Sequence, residues 1–186
     1  MTKYLSVLDN INRTEDRAIP MDALRALCRS LDLKNAQTYM EGGNIVFESD
    51  EVDAGDKISD AISAAIKEHY KIDVTVITRS LAKMEAVLKA NIYAKIHRTD
   101  IKSLFVTFLR DVPKEADVER LKNQSFPPDE FDIVDSDVFL HCFGKYETTK
   151  LNNAFFEAEL GQKAVSRQWK TLTKMIDLAK RIEKEW

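Results

Sequence analysis

The chain has few cysteines, prolines and glycines for its length. Its 186 residues include 2 Cys, 4 Pro and 5 Gly. So little glycine and proline excludes long low-complexity linkers. The two cysteines, Cys28 and Cys142, lie far apart in the sequence, whereas small secreted domains are stabilised by dense, paired cysteines. Both lie in apolar stretches, which predicts buried and unreactive thiols.

The sequence also lacks long apolar runs and a strong charge of either sign. No apolar segment reaches the roughly 20 residues that span a bilayer. The apolar run near the N-terminus is too short for a signal peptide. We therefore expect a cytoplasmic protein with no membrane partner. With 28 basic and 31 acidic residues, the net charge is −3. This balance argues against a dedicated duplex-DNA-binding protein, although it allows a local basic patch.

Apolar periodicity predicts the same order of elements twice: strand, helix, strand, strand, helix, strand. The first copy covers residues 1–79, a connecting helix and loop cover 80–102, and the second copy with a C-terminal helix covers 103–186. This order is the split βαβ pattern of ferredoxin-like folds. The predicted fold is α+β, with two ferredoxin-like repeats joined by a helix.

Capping residues set some of the predicted helix ends. Ser80 is expected to cap the connecting helix, because its hydroxyl can accept a hydrogen bond from a free backbone N–H. Either Thr148 or Thr149 is expected to cap a later helix, which Gly161 would close.

Several short segments, in this order, resemble the bacterial family known as domain of unknown function 1697. They are Ile11-Asn12, Pro20-Met21, Tyr39 with Gly43-Asn44-Ile45-Val46-Phe47, Val106-Thr107-Phe108-Leu109, Lys150-Leu151-Asn152-Asn153-Ala154, and Arg167-Gln168-Trp169-Lys170-Thr171 with Lys174. The resemblance implies a fold. It implies no activity, cofactor or catalytic residue, because none is established for the family.

One loop departs from the family pattern. Relatives usually carry Arg-Gly-Ile-Asn and then a Gly-Gly-Lys loop after the first strand, whereas this chain continues from Asn12 into Arg13-Thr14-Glu15-Asp16. A basic, glycine-rich loop suits an anion, and an acidic loop without glycine does not. Any ligand bound there in relatives is expected to differ or to be absent here.

Familiar catalytic motifs are missing from the sequence. There is no Gly-x-Ser-x-Gly elbow, phosphate-binding Walker loop, dinucleotide fingerprint or paired-cysteine motif, and the three histidines lack metal-ligand spacing. We predict no cofactor and no metal. The acidic hairpin at residues 129–137 could supply carboxylates to a divalent cation, but a solvated charged face is the favoured interpretation.

The C-terminal helix carries the most informative pattern. At about 100° per residue, one side is apolar and the opposite side is basic. Cations at the start of a helix are unexpected, because the helix dipole already makes that end positive. Two explanations stay open: the cations pair with the acidic hairpin at 129–137, or they bind an anion.

The first functional hypothesis is therefore non-enzymatic binding of an anionic ligand at the start of this helix. The ligand would be a phosphorylated metabolite or a single-stranded nucleic acid, with Trp169 stacking on a base or sugar. The predicted contact residues are Lys150, Arg167, Trp169, Lys170 and Lys174.

The second hypothesis is an enzyme of unfamiliar type, and a structural or partner-binding role is a third. The enzyme would use polar residues in a cleft between the two repeats, although no nucleophile and base are assembled by the sequence. The candidates for this cleft are Asn12, Tyr39, Gly43, Asn44 and His141. A plain hairpin turn is the favoured explanation of the glycines at 42–43. Open sheet edges would also allow a homodimer.

Overall fold

The computed structural model describes residues 1–9, 11–96 and 98–182. The chain divides into two compact units. Of the described residues, the first unit contains 1–86 together with 174–182, and the second contains 87–173. The predicted boundaries place residues 174–182 in the second repeat, whereas in the structure they group with the first unit.

The first unit is a four-stranded antiparallel sheet with two main helices. Its elements are β1 (Thr2–Leu8), α1 (Met21–Ser30), β2 (Lys34–Thr38), β3 (Asn44–Ser49), α2 (Gly55–Tyr70) and β4 (Val76–Ser80). The strand order is β2-β3-β1-β4. The strand β1 is central, and its last five residues, Tyr4–Leu8, are buried, as their nearly continuous apolar run predicts.

A connecting helix, α3 (Leu81–Ala90), follows β4 directly. The backbone N–H of Lys83 donates to the Ser80 hydroxyl at 3.3 Å. This contact satisfies one of the free N–H groups at the helix start, so the predicted cap at Ser80 is confirmed.

The second unit repeats this arrangement. Its elements are β5 (Leu104–Leu109), α4 (Glu115–Lys122), β6 (Glu130–Val134), β7 (Asp137–His141), α5 (Asn153–Leu160) and β8 (Ala164–Gln168), followed by α6 (Trp169–Arg181). The strand order is β6-β7-β5-β8, again antiparallel throughout. The described chain is therefore an α+β protein with two four-stranded antiparallel sheets and six α-helices.

Corresponding strand pairs of the two sheets carry a similar hydroxyl–hydroxyl hydrogen bond, which is buried in the first unit and part-buried in the second. The hydroxyls of Ser6 on β1 and Thr78 on β4 lie 2.6 Å apart. The hydroxyls of Thr107 on β5 and Ser166 on β8 lie 2.8 Å apart. In each unit the pair joins the central first strand to its last-strand neighbour, where each hydroxyl gives the other a partner.

The cores of the two units differ in composition. The first core is mainly aliphatic, and its aromatic pair is Tyr4 stacked on Phe47 at 5.9 Å between ring centroids. The second contains a run of edge-to-face ring contacts at 5.2–6.0 Å. The rings of that run are Phe126, Phe131, Phe155 and Phe156.

One predicted helix cap is wrong. Helix α5 is capped by Asn152, whose Oδ1 accepts from the Phe155 N–H at 2.9 Å. The Thr149 hydroxyl accepts from Leu151 N at 3.2 Å and donates to Asp129 Oδ2 at 2.5 Å, so it fastens the loop before the helix. The predicted end is confirmed, because Gly161 follows the helix in the left-handed conformation at φ +61°.

Candidate functional site

The predicted basic residues lie where β8 runs directly into α6. Lys170 and Lys174 are exposed on successive turns of α6. Lys150 is exposed just before α5. A hydrogen bond of 3.1 Å from the Ser166 hydroxyl to Asn153 Oδ1 ties the start of α5 to β8. Lys170 therefore lies just beyond the end of β8, and Lys150 lies three residues before the start of α5, which contacts the middle of that strand.

Arg167 and Trp169 differ from the lysines in exposure. Arg167 is half-buried, and its Nη1 donates to the Ser166 carbonyl at 2.8 Å, so the guanidinium is engaged within the protein. Trp169 is only 7% exposed and belongs to the core. A ring this deeply buried has no open face for a base or sugar, so the structure argues against the predicted stacking role.

The acidic hairpin does not neutralise the lysines. Within the described residues, none of Lys150, Lys170 and Lys174 has a carboxylate within ion-pair distance. Two hairpin carboxylates face other groups: Asp132 lies 3.5 Å from Lys122, and Glu130 lies 3.8 Å from His141.

The sheet order explains this separation. Strands β6 and β8 form opposite edges of the second sheet, with β7 and β5 between them. Three strand spacings amount to about 14 Å. For Lys170, hairpin pairing is therefore the weaker of the two explanations left open by the sequence. The argument does not extend to Lys150, because the neighbouring Thr149 hydroxyl contacts Asp129 of the hairpin.

The structure adds one cation that the sequence analysis missed. The Lys102 carbonyl accepts from Gln168 Nε2 at 3.2 Å, which brings Lys102 to the same end of the sheet as the start of α6. Lys102 is exposed and, in the described ranges, lacks an ion pair. A signal was available, because Lys95, Arg98 and Lys102 fall within eight residues of a segment interpreted only as a connector.

Of the predicted cleft residues, Asn12 has a structural role in the first unit. It adopts the left-handed conformation at φ +53°. Its Nδ2 donates to the Glu41 carbonyl at 2.7 Å, and its Oδ1 accepts from Ile19 N–H at 2.7 Å. One amide thus joins the loop after β1 to the hairpin between β2 and β3.

Tyr39, Gly43 and Asn44 close that hairpin. Asn44 is buried, and its Nδ2 donates to the Tyr39 carbonyl at 2.9 Å. Gly43 has φ +85°, and a Cβ there would lie 2.8 Å from Leu8 Cβ. The glycine is required because β1 passes so close, so the favoured hairpin interpretation accounts for this motif.

His141, the remaining cleft candidate, lies in the second unit on β7. It is directly opposite Glu130 on β6, and Nδ1 lies 3.8 Å from Glu130 Oε2. Nδ1 is buried and has no hydrogen-bond partner in the described part of the chain. The ring also lies 5.8 Å from Tyr93 and 4.1 Å from Phe143, measured between centroids.

Both thiols are buried, as predicted from their apolar surroundings. Cys28 is fully buried, and this burial raises the pKa of its thiol to about 12. Burial first, and then the nearby negative charge of Asp129, raises the pKa of Cys142 to about 11. Neither thiol is a thiolate near neutral pH, which makes both poor nucleophiles and poor metal ligands.

Comparison with known proteins gives the family. Residues 1–139 match the model of the family described as "Protein of unknown function (DUF1697)". The chain belongs to the DUF1697 family. A solved structure described as the conserved bacterial protein SP0830 from Streptococcus pneumoniae is similar to this chain, with a TM-score of 0.75 and 20% identity over 96% of this chain and 98% of that one. No match was found among curated proteins.

The DUF1697 match confirms the predicted resemblance, and at 20% identity the similar structure supports the fold alone. The matched range ends before the basic residues around β8 and α6. It does include the loop that departs from the family pattern. Beside that loop is an open cavity of about 500 Å³, lined by residues that include Asn12, Thr14, Glu15, Met21 and Glu41.

No group of three or more His, Cys, Asp or Glu side chains is arranged to hold a metal ion in the described ranges. None of the described helices has the length and apolar character needed to cross a membrane.

Proposed function

We propose that this DUF1697 protein is a binding module for a phosphate-bearing ligand. The binding surface would be formed by Lys102, Lys150 and Lys170 with Arg167 beside them, and we call it the basic surface. Lys174 lies one turn further along α6. The proposal depends on one observation: within the described residues, the lysines of this surface have no carboxylate partner.

The position of these cations supports an anionic ligand. No acidic residue lies in the first turn of α6, so the positive end of the helix dipole faces Lys170 without an internal counterion on its own turn. A cation in this position costs about 0.3–1 kcal/mol, which a bound phosphate would offset. Phosphate also provides several acceptor oxygens for lysine and arginine donors.

The burial of Trp169 favours one of the two predicted ligand types. Single-stranded nucleic acids are bound by cations together with open aromatic faces on which bases stack. The basic surface has the cations, but its aromatic residue is 7% exposed. A phosphorylated metabolite is therefore the better match, and oligonucleotide binding becomes an outcome that the experiment must exclude.

The experiment is an amide NMR and calorimetric titration of the full chain with pyrophosphate at low salt. Lys170→Ala and Lys102→Ala should each weaken binding about tenfold, as loss of a charge-assisted hydrogen bond predicts. Lys163→Ala is the matched control. It removes an exposed lysine from the opposite end of β8, about 17 Å away along the strand.

Three results would contradict the proposal. Pyrophosphate could fail to bind at millimolar concentration, or Lys163→Ala could weaken it as much as Lys170→Ala does. A single-stranded oligonucleotide could also bind more tightly than a mononucleotide with a steep loss of affinity in salt, which would indicate nucleic acid as the ligand.

We also propose that each unit is a ferredoxin-like repeat. In both units the element order is βαββαβ, and the central first strand pairs antiparallel with the third and fourth. The hydroxyl pairs at 2.6 and 2.8 Å support the correspondence. An experimental structure in which the two helices of a unit lie on opposite faces of its sheet would contradict this proposal.

An enzyme is the second candidate, and the contact between His141 and Glu130 favours it. An imidazole beside a carboxylate can accept and release a proton. The test is a screen of generic ester and phosphate substrates, followed by His141→Asn on any reaction found. Unchanged turnover in that variant would remove His141 from the candidates.

A further inference from the structure

The second unit contains an open pocket of about 360 Å³ whose lining includes none of the lysines of the basic surface. This volume lies within the range of small-molecule sites. Its walls come from the segment before β5, the end of α4 and the start of β6. The lining residues include Tyr93, Lys122, Phe126, Asp129, Glu130 and Phe131. It thus combines aromatic rings with charged side chains.

The wall of this pocket includes the hydroxyl of Tyr93. Tyr93 is 7% exposed, yet across the described residues its hydroxyl has no hydrogen-bond partner. The oxygen is not enclosed away from water, so it opens into the pocket, where water is its hydrogen-bond partner. A ligand in the pocket could replace that water.

Around the pocket the positive charge is offset by a neighbouring carboxylate, whereas in the described part of the chain the negative charges are not offset by a cation. Lys122 lies 3.5 Å from Asp132, so its charge is offset. Asp129 accepts hydrogen bonds from Phe143 N–H and the Thr149 hydroxyl, which are both neutral donors. Glu130 is more than half exposed, and its one ion-pair contact among the described residues is to the His141 ring. The rim therefore keeps the negative charges of Asp129 and Glu130.

We propose that this pocket binds an organic ammonium ion. The ammonium group donates to the Glu130 carboxylate and the Tyr93 hydroxyl, and the apolar part of the ligand packs against Phe126 and Phe131. Aromatic rings favour a cation as well as an apolar body, because their faces carry negative potential. The basic surface is not required for this binding.

Two further observations support an organic cation. In the described ranges no group of three metal-ligating side chains is present, so the carboxylates of Glu130 and Asp129 beside aromatic rings suit an ammonium ion better than a divalent metal. Burial first, and then the charges of Glu130 and Asp132, raises the pKa of Tyr93 to about 12. The hydroxyl therefore stays neutral and can accept a hydrogen bond from an ammonium group at neutral pH.

The experiment compares three probes of similar shape: phenethylamine, 2-phenylethanol and 3-phenylpropionate. They are titrated into the full chain at pH 7.5, with calorimetry and amide NMR as readouts. Phenethylamine should bind and shift the amides of residues 122–131. The neutral and anionic probes should bind at least tenfold more weakly. Equal binding of 2-phenylethanol, or no shift in 122–131 at millimolar phenethylamine, overturns the proposal.

Variants test the two polar contacts. Glu130→Gln removes the charge but keeps the shape, and it should weaken phenethylamine about tenfold. Tyr93→Phe removes only the hydroxyl and should weaken it about threefold. Glu147→Gln is the control, because Glu147 is an exposed acid that does not line the pocket. If Glu147→Gln weakens binding as much as Glu130→Gln, the attraction comes from overall charge and the proposal fails.

Discussion

The two units have the same order of elements and of strands, but they differ in how far their polar side chains are hydrogen-bonded within the protein. In the first unit, the Asn12 and Asn44 amides are hydrogen-bonded to the backbone. In the second, three polar atoms have no hydrogen-bond partner within the described residues: the Tyr93 hydroxyl, His141 Nδ1 and Asn91 Nδ2. Saturated groups hold a fold in place, whereas unsatisfied ones are available to a ligand.

This difference changes the meaning of the family resemblance. The segments of the first unit that resemble DUF1697 are explained by loop closure and close backbone approach, which are requirements of the fold. The groups open to chemistry lie mainly in the second unit, and several of them follow residue 139, where the family match ends. Substitutions in the two units can be compared with each other to test whether the first unit mainly carries fold requirements and the second mainly carries groups open to a ligand.

The largest effect is expected at Gly43 in the first unit. Gly43→Ala should lower the free energy of unfolding by about 3 kcal/mol, because φ is +85° and the new Cβ would meet Leu8. The measurement is urea unfolding followed by circular dichroism. The control is Gly42→Ala, where the nearest atom is 3.9 Å away. Similar losses in the two variants would contradict this account of the hairpin.

A smaller loss is expected for Asn12→Ala, about 2 kcal/mol, because two hydrogen bonds of 2.7 Å between the loop and the hairpin disappear. The same denaturation experiment measures it. Asn123→Ala is a suitable control, since Asn123 is an exposed residue at the end of α4. If Asn12→Ala is neutral in stability but changes ligand binding, Asn12 belongs to a site and not to the scaffold.

Two buried tyrosines provide the most direct comparison of the units. The Tyr4 hydroxyl donates to Glu51 carbonyl at 2.9 Å and accepts from Ala54 N–H at 3.3 Å. Tyr4→Phe should therefore cost about 1.5 kcal/mol in unfolding free energy, and Tyr93→Phe less than about 0.5 kcal/mol. Thermal and urea unfolding of both variants check this. Equal costs would show that Tyr93 has a structural hydrogen bond after all.

The smallest difference is expected between the two thiols. At pH 8 the native protein should react with a thiol reagent far more slowly than the unfolded chain. Cys28 should react more slowly than Cys142, because burial raises the pKa of its thiol further. Mass spectrometry of partly labelled protein separates the two sites. Fast labelling of either native thiol would contradict its burial.

Much of the fold could be predicted from local patterns, since a buried strand, an amphipathic helix and a cap each have a short sequence signature. The cap of α5 could not, because Thr148, Thr149 and Asn152 are all capping residues and only tertiary packing selects among them. The burial of Trp169 did have a signal, as it stands three residues before Leu172 on the apolar side of α6. Its position beside the lysines, however, also predicts a ligand contact, and only the packed structure decides between the two.

The candidate sites were less predictable for a physical reason. Lys102 and Tyr93 come from a segment without strong periodicity, and they gain a role only when sheet pairing brings Gln168, Phe126 and Glu130 beside them. No pattern confined to one segment contains that information. The lysines of α6 were found because helical spacing alone places them on one face.

The most direct test is the amide NMR titration of the full chain with pyrophosphate at low salt. We expect saturable shifts at Lys102, Lys150, Arg167 and Lys170, with the loop at residues 11–20 unchanged. Shifts concentrated in that loop, or no saturable shift anywhere, would contradict the account.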